Sequence, residues 1–439
     1  MVKDQDHLKK IASACIDTAK KLGAESATVV GNENTSVSVS ARLGKLENVE
    51  RNESKSTGLE LIDNKRKVTL SSTNFNHDAL MELVETGMSM IKSIPEDEFC
   101  GLADKDMLYK GDLNLDLVDN YIPENSNLLN NSIEAEDSAL NVKGITNSEG
   151  ASSSYSKNKL FLATSDGFYN FKEKTNYSTG ISVIAGDGTK MERDYEYQSK
   201  VHNVDLDPPI SIGKIAADRA IARLNPKKVK SNSVPIIFDP RVSGSLLSLF
   251  IGGISGQAVA RGTSFLKEKM QKTIFKNNIQ IIDDPHILRA QGSRTFDGEG
   301  IESKKINLVE NGILKSWLLS SQSARQLNLK STGHSSGVSN LYMVPSSITN
   351  TDLIMSIQEG FYITEMMGMS FNQVTGDYSR GATGFWIEKG EKTYPVSEVT
   401  IAGNIIDMYK MLTPASDLKF ITGIDAPTVL IDKMIVAGL

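Results

Sequence analysis

The sequence predicts an α+β fold in which N-terminal helices pack on a mixed or antiparallel sheet and a β-rich C-terminal domain follows. Helical spacing of apolar residues over 7–22, followed by Gly23, predicts the first helix. A second amphipathic pattern runs from about residue 77 to 92, and a third from about 209 to 224. Most of the predicted helices therefore lie in the N-terminal half.

Strand patterns connect these helices and dominate the C-terminal half. Apolar and polar residues alternate before the first predicted turn, and the apolar set is Val37, Val39, Ala41 and Leu43. Hairpin turns are predicted at residues 63–65, 310–312 and 389–391, and the Asn-Gly pair of the second is the strongest signal. One apolar helix rich in Gly and Ser, at about 242–259, interrupts the β-rich half.

Composition shifts divide the 439 residues into three expected domains. Residues 1–110 form an N-terminal α+β subdomain, and 111–230 a middle β-rich subdomain with flanking helices. Residues 231–439 form the β-rich C-terminal domain. The last boundary rests on segment 225–232, which contains a proline and three lysines.

Charge and cysteine content exclude several classes of protein. The chain carries 48 basic and 54 acidic residues, a net charge of −6, which disfavours a dedicated nucleic-acid binder. The basic run at 226–230 is interpreted as a solvated linker. Two cysteines, Cys15 and Cys100, suit a reducing compartment. Without an apolar leader or a membrane-spanning run in the sequence, we expect a cytoplasmic protein with no membrane segment.

A local zinc-hydrolase motif is absent from the sequence. Such a motif places two histidines one helical turn apart, with a glutamate beside the first. None of the histidines is followed by glutamate or lies within a few turns of another; they are His7, His77, His202, His286 and His334. A metal site or a Ser-His-Asp triad assembled from distant residues stays open at this stage.

Several loops carry alternatives that the sequence does not resolve. His286 follows an Asp-Asp-Pro turn and is interpreted as a surface residue. His334 lies between glycines and serines, either as a solvated loop residue or as part of a substrate cavity. The glycines at 252–256 favour close helix packing over a phosphate loop. The Asp-Gly-Glu-Gly run at 297–300 is interpreted as a turn rather than a cation site.

The stretch 375–384 is unusual because hydroxyls, a charge pair and three glycines lie between strand patterns. One interpretation is a tight turn with Asp377 and Arg380 paired at the surface. The other is a lining that hydrogen-bonds the main chain of an extended peptide. The candidate residues for this second role are Thr375, Gly376, Asp377, Tyr378, Ser379, Arg380 and Gly381.

Seven segments together resemble the PmbA (TldE) branch of the TldD/PmbA family over nearly the whole chain. They are residues 46–54, 95–104, 191–195, 260–266, 293–300, 375–381 and 400–404. The resemblance implies a protease of two related subunits, in which the TldD subunit binds zinc through an HExxxH helix and a C-terminal cysteine. Its implied substrates are small unfolded or modified peptides. The family is also labelled a modulator of DNA gyrase.

In this chain, the positions that correspond to HExxxH lack its ligands. Ser248 and Gly253 stand where the histidines would be, and Leu249 where the glutamate would be. Segment 422–427, which corresponds to the cysteine region, contains no cysteine. The resemblance therefore implies no metal and no catalytic residue here, with zinc expected in a TldD-like partner.

The function expected from the sequence is that of a non-catalytic partner subunit. It would help a TldD-like subunit enclose a peptide chamber, with His334 and the stretch Thr375–Gly381 in the walls, and it could form a homodimer when alone. Two alternatives remain. One is an autonomous metallopeptidase with a non-standard metal site, and the other is a non-proteolytic regulator of the DNA gyrase modulator type.

Overall fold

The computed structural model describes residues 2–438, apart from the side chains of residues 2–7 and Met369. In chain order, the N-terminal half contains α1 (Val2–Lys21), β1 (Ser26–Arg42), β2 (Lys45–Asp63), β3 (Arg66–Ser72), α2 (His77–Met90), α3 (Asn125–Leu140), β4 (Ile145–Thr164), β5 (Tyr169–Ala185), β6 (Glu192–Lys200) and α4 (Pro209–Ala222). Short 3-10 turns lie at Ile91–Ser93, Gly188–Lys190 and Asn203–Asp205. The segment 94–124 runs outside these helices and strands.

The N-terminal strands form one antiparallel sheet in the order β3-β2-β1-β4-β5-β6. The predicted turn between β2 and β3 is confirmed, with Asn64 and Lys65 in the left-handed conformation (φ 47° and 58°). The expected strand residue Leu43 is instead a turn residue (φ 51°) and is 59 % exposed. Alternation alone predicted it wrongly, because the pattern continued past the residue at which the chain reverses.

Two pairs of helices cover two different parts of this sheet. The apolar stripe of α1, with Cys15 2 % exposed, packs with α2 against β1, β2 and β3. Helices α3 and α4 pack on β4 and β5, and they cross closely because Gly213 lies against Ala135, where a Cβ atom would be 2.0 Å from the carbonyl oxygen. The expected domains 1–110 and 111–230 thus share one continuous sheet.

The C-terminal half begins with β7 (Asn232–Phe238). It continues with α5 (Pro240–Ile254), α6 (Gly256–Ala260), β8 (Ile281–Asp283), β9 (Ile306–Glu310), β10 (Ile313–Leu314), α7 (Ser321–Gln326), β11 (Leu341–Met343), α8 (Asn350–Met355), β12 (Glu359–Phe371), β13 (Asp377–Glu388), β14 (Glu391–Asn404), α9 (Ile405–Lys410), β15 (Leu412–Pro414), β16 (Ile424–Asp425) and β17 (Val429–Ala437). The helix expected over 242–259 is present as α5 and α6, which are separated at Ser255.

The C-terminal strands form a barrel and a smaller sheet. The larger set runs β14-β13-β12-β7-β17-β15, and pairing of β14 with β17 closes it into a barrel. The smaller sheet runs β10-β9-β8-β11-β16. Because β7 lies parallel to β12 and antiparallel to β17, the barrel is mixed. The predicted α+β class with a β-rich C-terminal half is confirmed, whereas the closure was not predicted.

Helix α5 contributes to the core shared by the barrel and the smaller sheet. Phe250 is fully buried and meets Phe275 and Tyr409 edge to face, a burial that stabilises the fold by roughly 1.5–3 kcal/mol. The Tyr409 hydroxyl donates to the Leu246 carbonyl at 2.9 Å. The apolar face of α5 therefore holds the helix in one orientation, which fixes where its other residues point.

Hydrogen bonds tie the N-terminal part to the C-terminal domain. The guanidinium of Arg325 in α7 donates to the carbonyl oxygens of Phe99, Gly101 and Leu102. From β5, the Lys172 ammonium donates to the Phe296 carbonyl at 2.6 Å and lies 3.3 Å from the centroid of that ring. Burial, reinforced by the nearby charge of Arg294, lowers the pKa of Lys172 to about 7.

Lys172→Met is expected to flatten the pH dependence of stability. Between about pH 7 and 10 the unfolded chain binds a proton that folded Lys172 has lost, so the free energy of unfolding rises with pH, at most by about 1.4 kcal/mol per unit. Below pH 7 the cost of burying the charge is present in full. Urea unfolding at pH 7 and 9 measures the slope, with exposed Lys190→Met as control. Equal slopes in both variants and the parent would contradict the expectation.

Among the helices described between residues 2 and 438, none is both long and apolar enough to cross a bilayer.

Candidate functional site

The site is built on α5, which begins directly after strand β7. The Asp239 carboxylate accepts a hydrogen bond from the main-chain N–H of Arg241 at 3.0 Å and caps the helix, and Pro240 occupies its first turn. On the side away from the core, small residues line the helix. One of them, Gly244, contacts β16 so closely that a Cβ atom would lie 2.6 Å from the Ile424 carbonyl oxygen.

The three positions where the family motif would supply a metal site have different surroundings. Ser248 is exposed, and its hydroxyl donates to the Gly244 carbonyl at 3.2 Å. Leu249 packs against the core. At Gly253 a Cβ atom would lie 2.7 Å from the Phe265 ring and 2.9 Å from Leu266. The predicted close packing at Gly253 is confirmed, and a larger side chain does not fit there.

A cavity of about 390 Å³ opens beside α5. Residues from β6, α4, α5 and the segment that contains β16 line it: Tyr195, Glu196, Tyr197, Arg219, Pro240, Arg241, Gly244, Ser245, Ser248, Ile421, Thr422, Ile424 and Asp425. The cavity thus brings together Ser248, the first position expected to correspond to the zinc motif, and Thr422 and Asp425, from the segment expected to correspond to the cysteine region.

Asp425 organises the far wall of this cavity. One oxygen of its carboxylate accepts from the main-chain N–H and the hydroxyl of Thr422, at 3.0 and 3.2 Å, and the other accepts from the N–H of Gly423. Burial, together with neighbouring Tyr195 and Asp425, raises the pKa of the Tyr197 hydroxyl. The carboxylate is fully engaged in holding its loop, and Tyr197 stays neutral at physiological pH.

A buried ion network supports the near wall of the cavity, which residues of β6, α4 and α5 form. Asp194, 2 % exposed, accepts from Arg241 at 2.8 Å and from Arg223 at 3.4 Å. Arg223 also contacts Glu365 of β12, and Arg241 lies 3.6 Å from Asp239. Burial alone would lower the pKa of Arg241, but Asp194, Asp239 and Tyr195 together raise it above its usual value. The network joins β6, α4 and α5 and sets the position of Arg241 in the wall.

The donor set around α5 does not fit zinc. Zinc in proteins takes imidazole, thiolate or carboxylate ligands in a tetrahedron. Ser248 offers a hydroxyl, Gly253 offers no side chain, and the oxygens of Asp425 accept hydrogen bonds within their own loop. No group of three His, Cys, Asp or Glu side chains suited to a metal occurs among the residues that the structure describes.

The stretch 375–384 begins in a tight turn, where the Gly376 N–H donates to the Asn372 carbonyl and Gly376 is left-handed (φ 83°), but Asp377 and Arg380 do not pair with each other. Asp377 accepts from Thr375 and Asn404, while the Arg380 Nε donates to the Gly368 carbonyl at 2.8 Å, so their hydrogen bonds run to other groups. The main chain from Tyr378 to Gly381 lies in β13, which pairs with β12 on one side and β14 on the other. A peptide strand therefore cannot add to it.

These residues nevertheless have defined environments. The hydrogen bonds from Thr375 and Asn404 lower the pKa of exposed Asp377. Gly376 is buried, Tyr378 lies in the core, and Ser379, Arg380 and Gly381 are half-buried. The preceding loop contacts the end of α5, since the Gln373 side chain donates to the Gly252 carbonyl at 3.4 Å. The stretch lies near Gly253 and does not line the cavity beside Ser248.

His334 is neither solvated nor in this cavity. Its side chain is 3 % exposed, with Nε2 3.1 Å from the Asp283 carboxylate and Nδ1 3.0 Å from the Thr332 hydroxyl. The interpretation as a solvated loop residue was wrong, because the ring is buried against Asp283 and Thr332. His286, predicted at the surface, is half-buried in a turn. Asp297 accepts from the N–H groups of Glu299 and Ile301, which confirms the predicted turn.

Sequence reasoning missed most of the cavity wall. Tyr195, Tyr197, Arg219 and Arg241 come from three separate elements and follow no spacing rule. The one available signal was segment 191–195, which carried part of the family resemblance and contains both Asp194 and Tyr195.

Comparison with known proteins places this architecture in a class of peptidase-related chains. Three successive parts match the PmbA/TldA metallopeptidase domains: domain 1 over residues 27–91, the central domain over 126–224 and the C-terminal domain over 231–438. The chain belongs to the PmbA/TldD family, and it fits the PmbA (TldE) branch. The resemblance predicted from the sequence is confirmed.

Individual relatives span the whole chain. Metalloprotease PmbA of Escherichia coli O157:H7 is 34 % identical over 435 residues, which cover 98 % of this chain and 97 % of that protein. A Bacteroides thetaiotaomicron protein, described in its crystal structure as a candidate modulator of DNA gyrase, superposes with a TM-score of 0.92 at 27 % identity and covers 98 % and 99 %. TldE from Thermococcus kodakarensis shares the fold, with a TM-score of 0.85 at 20 % identity, and covers 98 % and 100 %.

Proposed function

We propose that this chain is the non-catalytic subunit of a two-subunit zinc protease. A TldD-like partner would hold the metal and cut small unfolded or modified peptides, and this chain would complete the chamber that admits them. The observation that carries the proposal is α5. The helix is retained, capped and buried, yet Ser248, Leu249 and Gly253 supply no ligand and no general base.

The cavity beside α5 supports a role in binding peptide. Its charged wall residues are already paired, Arg219 with Glu196 and Arg241 with Asp194, so it favours uncharged groups. Its near wall is β6, an edge strand that pairs with β5 alone among the described strands. An extended peptide lying beside β6 could place an apolar or aromatic side chain in the cavity. This surface replaces the strand addition expected at 375–384.

His334 and the stretch Thr375–Gly381, which were expected in the chamber walls, have altered roles in this proposal. The exposed carboxylate of Asp377 offers a polar group next to the end of α5. His334 acts through the loop that it holds against Asp283, because its ring is buried within the chain.

The test is peptide hydrolysis by a purified TldD-like subunit from the same organism, measured with and without this chain. The proposal predicts little cleavage by either chain alone and a rate at least about tenfold higher for the mixture, together with co-elution of the two. Equal rates with and without this chain would overturn it. Tightly bound zinc in this chain alone, with hydrolysis that a chelator abolishes, would instead favour the autonomous metallopeptidase.

A cavity-filling variant tests where the peptide binds. Ser245 lies on α5 and lines the cavity, so Ser245→Trp should fill it and raise the KM of the two-subunit enzyme by about tenfold, corresponding to the loss of roughly 1.4 kcal/mol of binding. Asp187→Trp, at an exposed position outside the cavity, serves as control. An unchanged KM with intact assembly would place the peptide elsewhere.

The description of the Bacteroides neighbour motivates one other candidate, a non-proteolytic regulator of DNA gyrase. Capture of gyrase from cell extract by this chain, without the TldD-like subunit, would favour it. The cytoplasmic location expected from composition stays a prediction.

A further inference from the structure

A second cavity, of about 190 Å³, lies where the N-terminal sheet meets the C-terminal domain. Residues of β1, β2, β3 and the end of β4 form one wall, and segment 100–103, the turn at 298–299 and Gln322 of α7 form the rest. Two segments that carried the family resemblance, 95–104 and 293–300, therefore meet here. The cavity beside α5 contains no residue of either segment, so the proposed peptide site leaves both without a role.

The sheet wall of this cavity is polar. Strand pairing sets Glu60 of β2 directly between Thr28 of β1 and Thr69 of β3. Because neighbouring strands lie about 4.8 Å apart, a hydroxyl flanks the carboxylate on each side. Thr164 of β4 continues the row beyond Thr28. The opposite face of these strands packs against α1 and α2, so these polar side chains face the C-terminal domain.

Negative charge exceeds positive charge in the cavity. The Glu60 carboxylate lies 3.4 Å from the Lys67 ammonium, the one cation among the described residues of the lining. Glu299 supplies a second carboxylate, one oxygen of which accepts from the N–H and the hydroxyl of Ser321 at 2.9 and 2.7 Å. Burial raises the pKa of Glu299, and the negative charges of Asp297 and Glu60 raise it further. The carboxylate of Glu299 therefore lies in a negative field.

The remaining lining and the volume define what would fit. Val30, Leu102 and Ala103 add an apolar surface, and the volume is below the roughly 300–1,000 Å³ of sites for drug-sized ligands. Water can satisfy the hydroxyls, but it does not balance the charge of the second carboxylate. A primary ammonium group balances that charge and donates three hydrogen bonds. No group of three His, Cys, Asp or Glu side chains suited to a metal occurs among the residues described.

We propose that this cavity binds a small free primary amine, with its ammonium group at Glu299 and Glu60 and its alkyl stem against Val30 and Leu102. The walls belong to both halves of the chain, so a bound amine adds contacts to those that Arg325 makes between them. This site is separate from the cavity beside α5 and does not depend on the proposed role in proteolysis.

Calorimetric titration of the full-length chain with n-butylamine at neutral pH tests for the site. The probe is protonated there, as a lysine side chain is. A dissociation constant in the millimolar range is expected for a ligand of about five non-hydrogen atoms. n-Butanol has the same shape without the charge and should bind at least about tenfold more weakly. Equal affinities, or no binding of butylamine at tens of millimolar, would overturn the proposal.

Replacement of the carboxylate tests the anchor. Glu299→Gln keeps the volume and an acceptor for Ser321 but removes the charge, so it should weaken butylamine binding at least about tenfold. Glu98→Gln removes an exposed carboxylate outside the lining and serves as the matched control. If the two variants bind butylamine equally well, Glu299 does not hold the amine and the proposal fails.

A filled cavity gives a second, independent test. Gly58 lines the cavity, and a Cβ atom there would have its nearest neighbour 4.0 Å away, on Val30. Gly58→Val therefore suits strand β2 and should abolish binding while the protein stays folded. Retained affinity would place the amine elsewhere. The peptide Gly-Gly-Lys-Gly-Gly distinguishes a free amine from a lysine side chain of another protein, and tighter binding of this peptide than of butylamine would contradict a site for free amines.

Discussion

Replacement of Asp194 by alanine is expected to destabilise the protein by about 3–5 kcal/mol. Its carboxylate lies between the guanidinium groups of Arg241 and Arg223, and it is 2 % exposed. Without it, two largely buried cations face each other with fewer anions between them. Removing one partner of a buried pair costs far more than the pair itself contributes, because the remaining charge loses its solvation.

Urea unfolding measures this effect, and two variants separate its causes. Asp194→Asn keeps the volume and one acceptor but removes the charge, so most of the loss should remain if the ion network matters. Asp187→Ala removes an exposed carboxylate on the loop before β6 and should change stability by no more than about 0.5 kcal/mol. If Asp194→Ala unfolds at the same urea concentration as Asp187→Ala, the network is not a structural element.

When histidine is placed at the two positions expected to correspond to the zinc motif, we expect the substitution at Gly253 to destabilise the fold. A Cβ atom there would lie 2.7 Å from the ring of Phe265, so Gly253→His forces an imidazole into space that Phe265 and Leu266 occupy. Overpacking of this kind costs about 1–3 kcal/mol for small additions and more for a whole ring. We therefore expect a loss of at least about 3 kcal/mol. Ser248→His, one turn earlier on the exposed side of α5, should be nearly neutral.

The combined variant Ser248→His, Leu249→Glu and Gly253→His shows whether the loss of the motif can be reversed. Because segment 422–427 still lacks cysteine and Gly253 lies against the core, the variant should bind zinc weakly and cleave no peptide. Isothermal titration with zinc and thermal unfolding provide the two readouts. Tight zinc binding by a folded variant would show that the site is only a few substitutions from activity.

Sequence reasoning predicted features that depend on neighbouring residues better than features that depend on residues far apart in the chain. Turn residues with left-handed backbone, such as Asn64 and Asn311 with Gly312, were predicted because their conformation depends on the residues themselves. The stripe of α1 was predicted from helical spacing. Leu43 was misassigned because alternation continues into the turn. For the stretch 375–381, the strand-addition interpretation fails because sequence cannot tell a central strand from one with a free edge.

His334 shows the same limit for side chains. Its neighbours, glycines and serines, are typical of a solvated loop, yet the ring is held against Asp283, which lies 51 residues earlier in the chain. The hydrogen bond replaces the solvation that burial removes, and no local pattern signals it.

By itself, the sequence determined the class of fold and the family, because these depend on residue identity and on spacing within one element. Only the tertiary structure decided that Ser248, Tyr197 and Asp425 line one cavity and that Glu60 and Glu299 line another. The physical reason is that pairing and burial join residues far apart in the chain, and their energies depend on the distances between atoms that folding brings together.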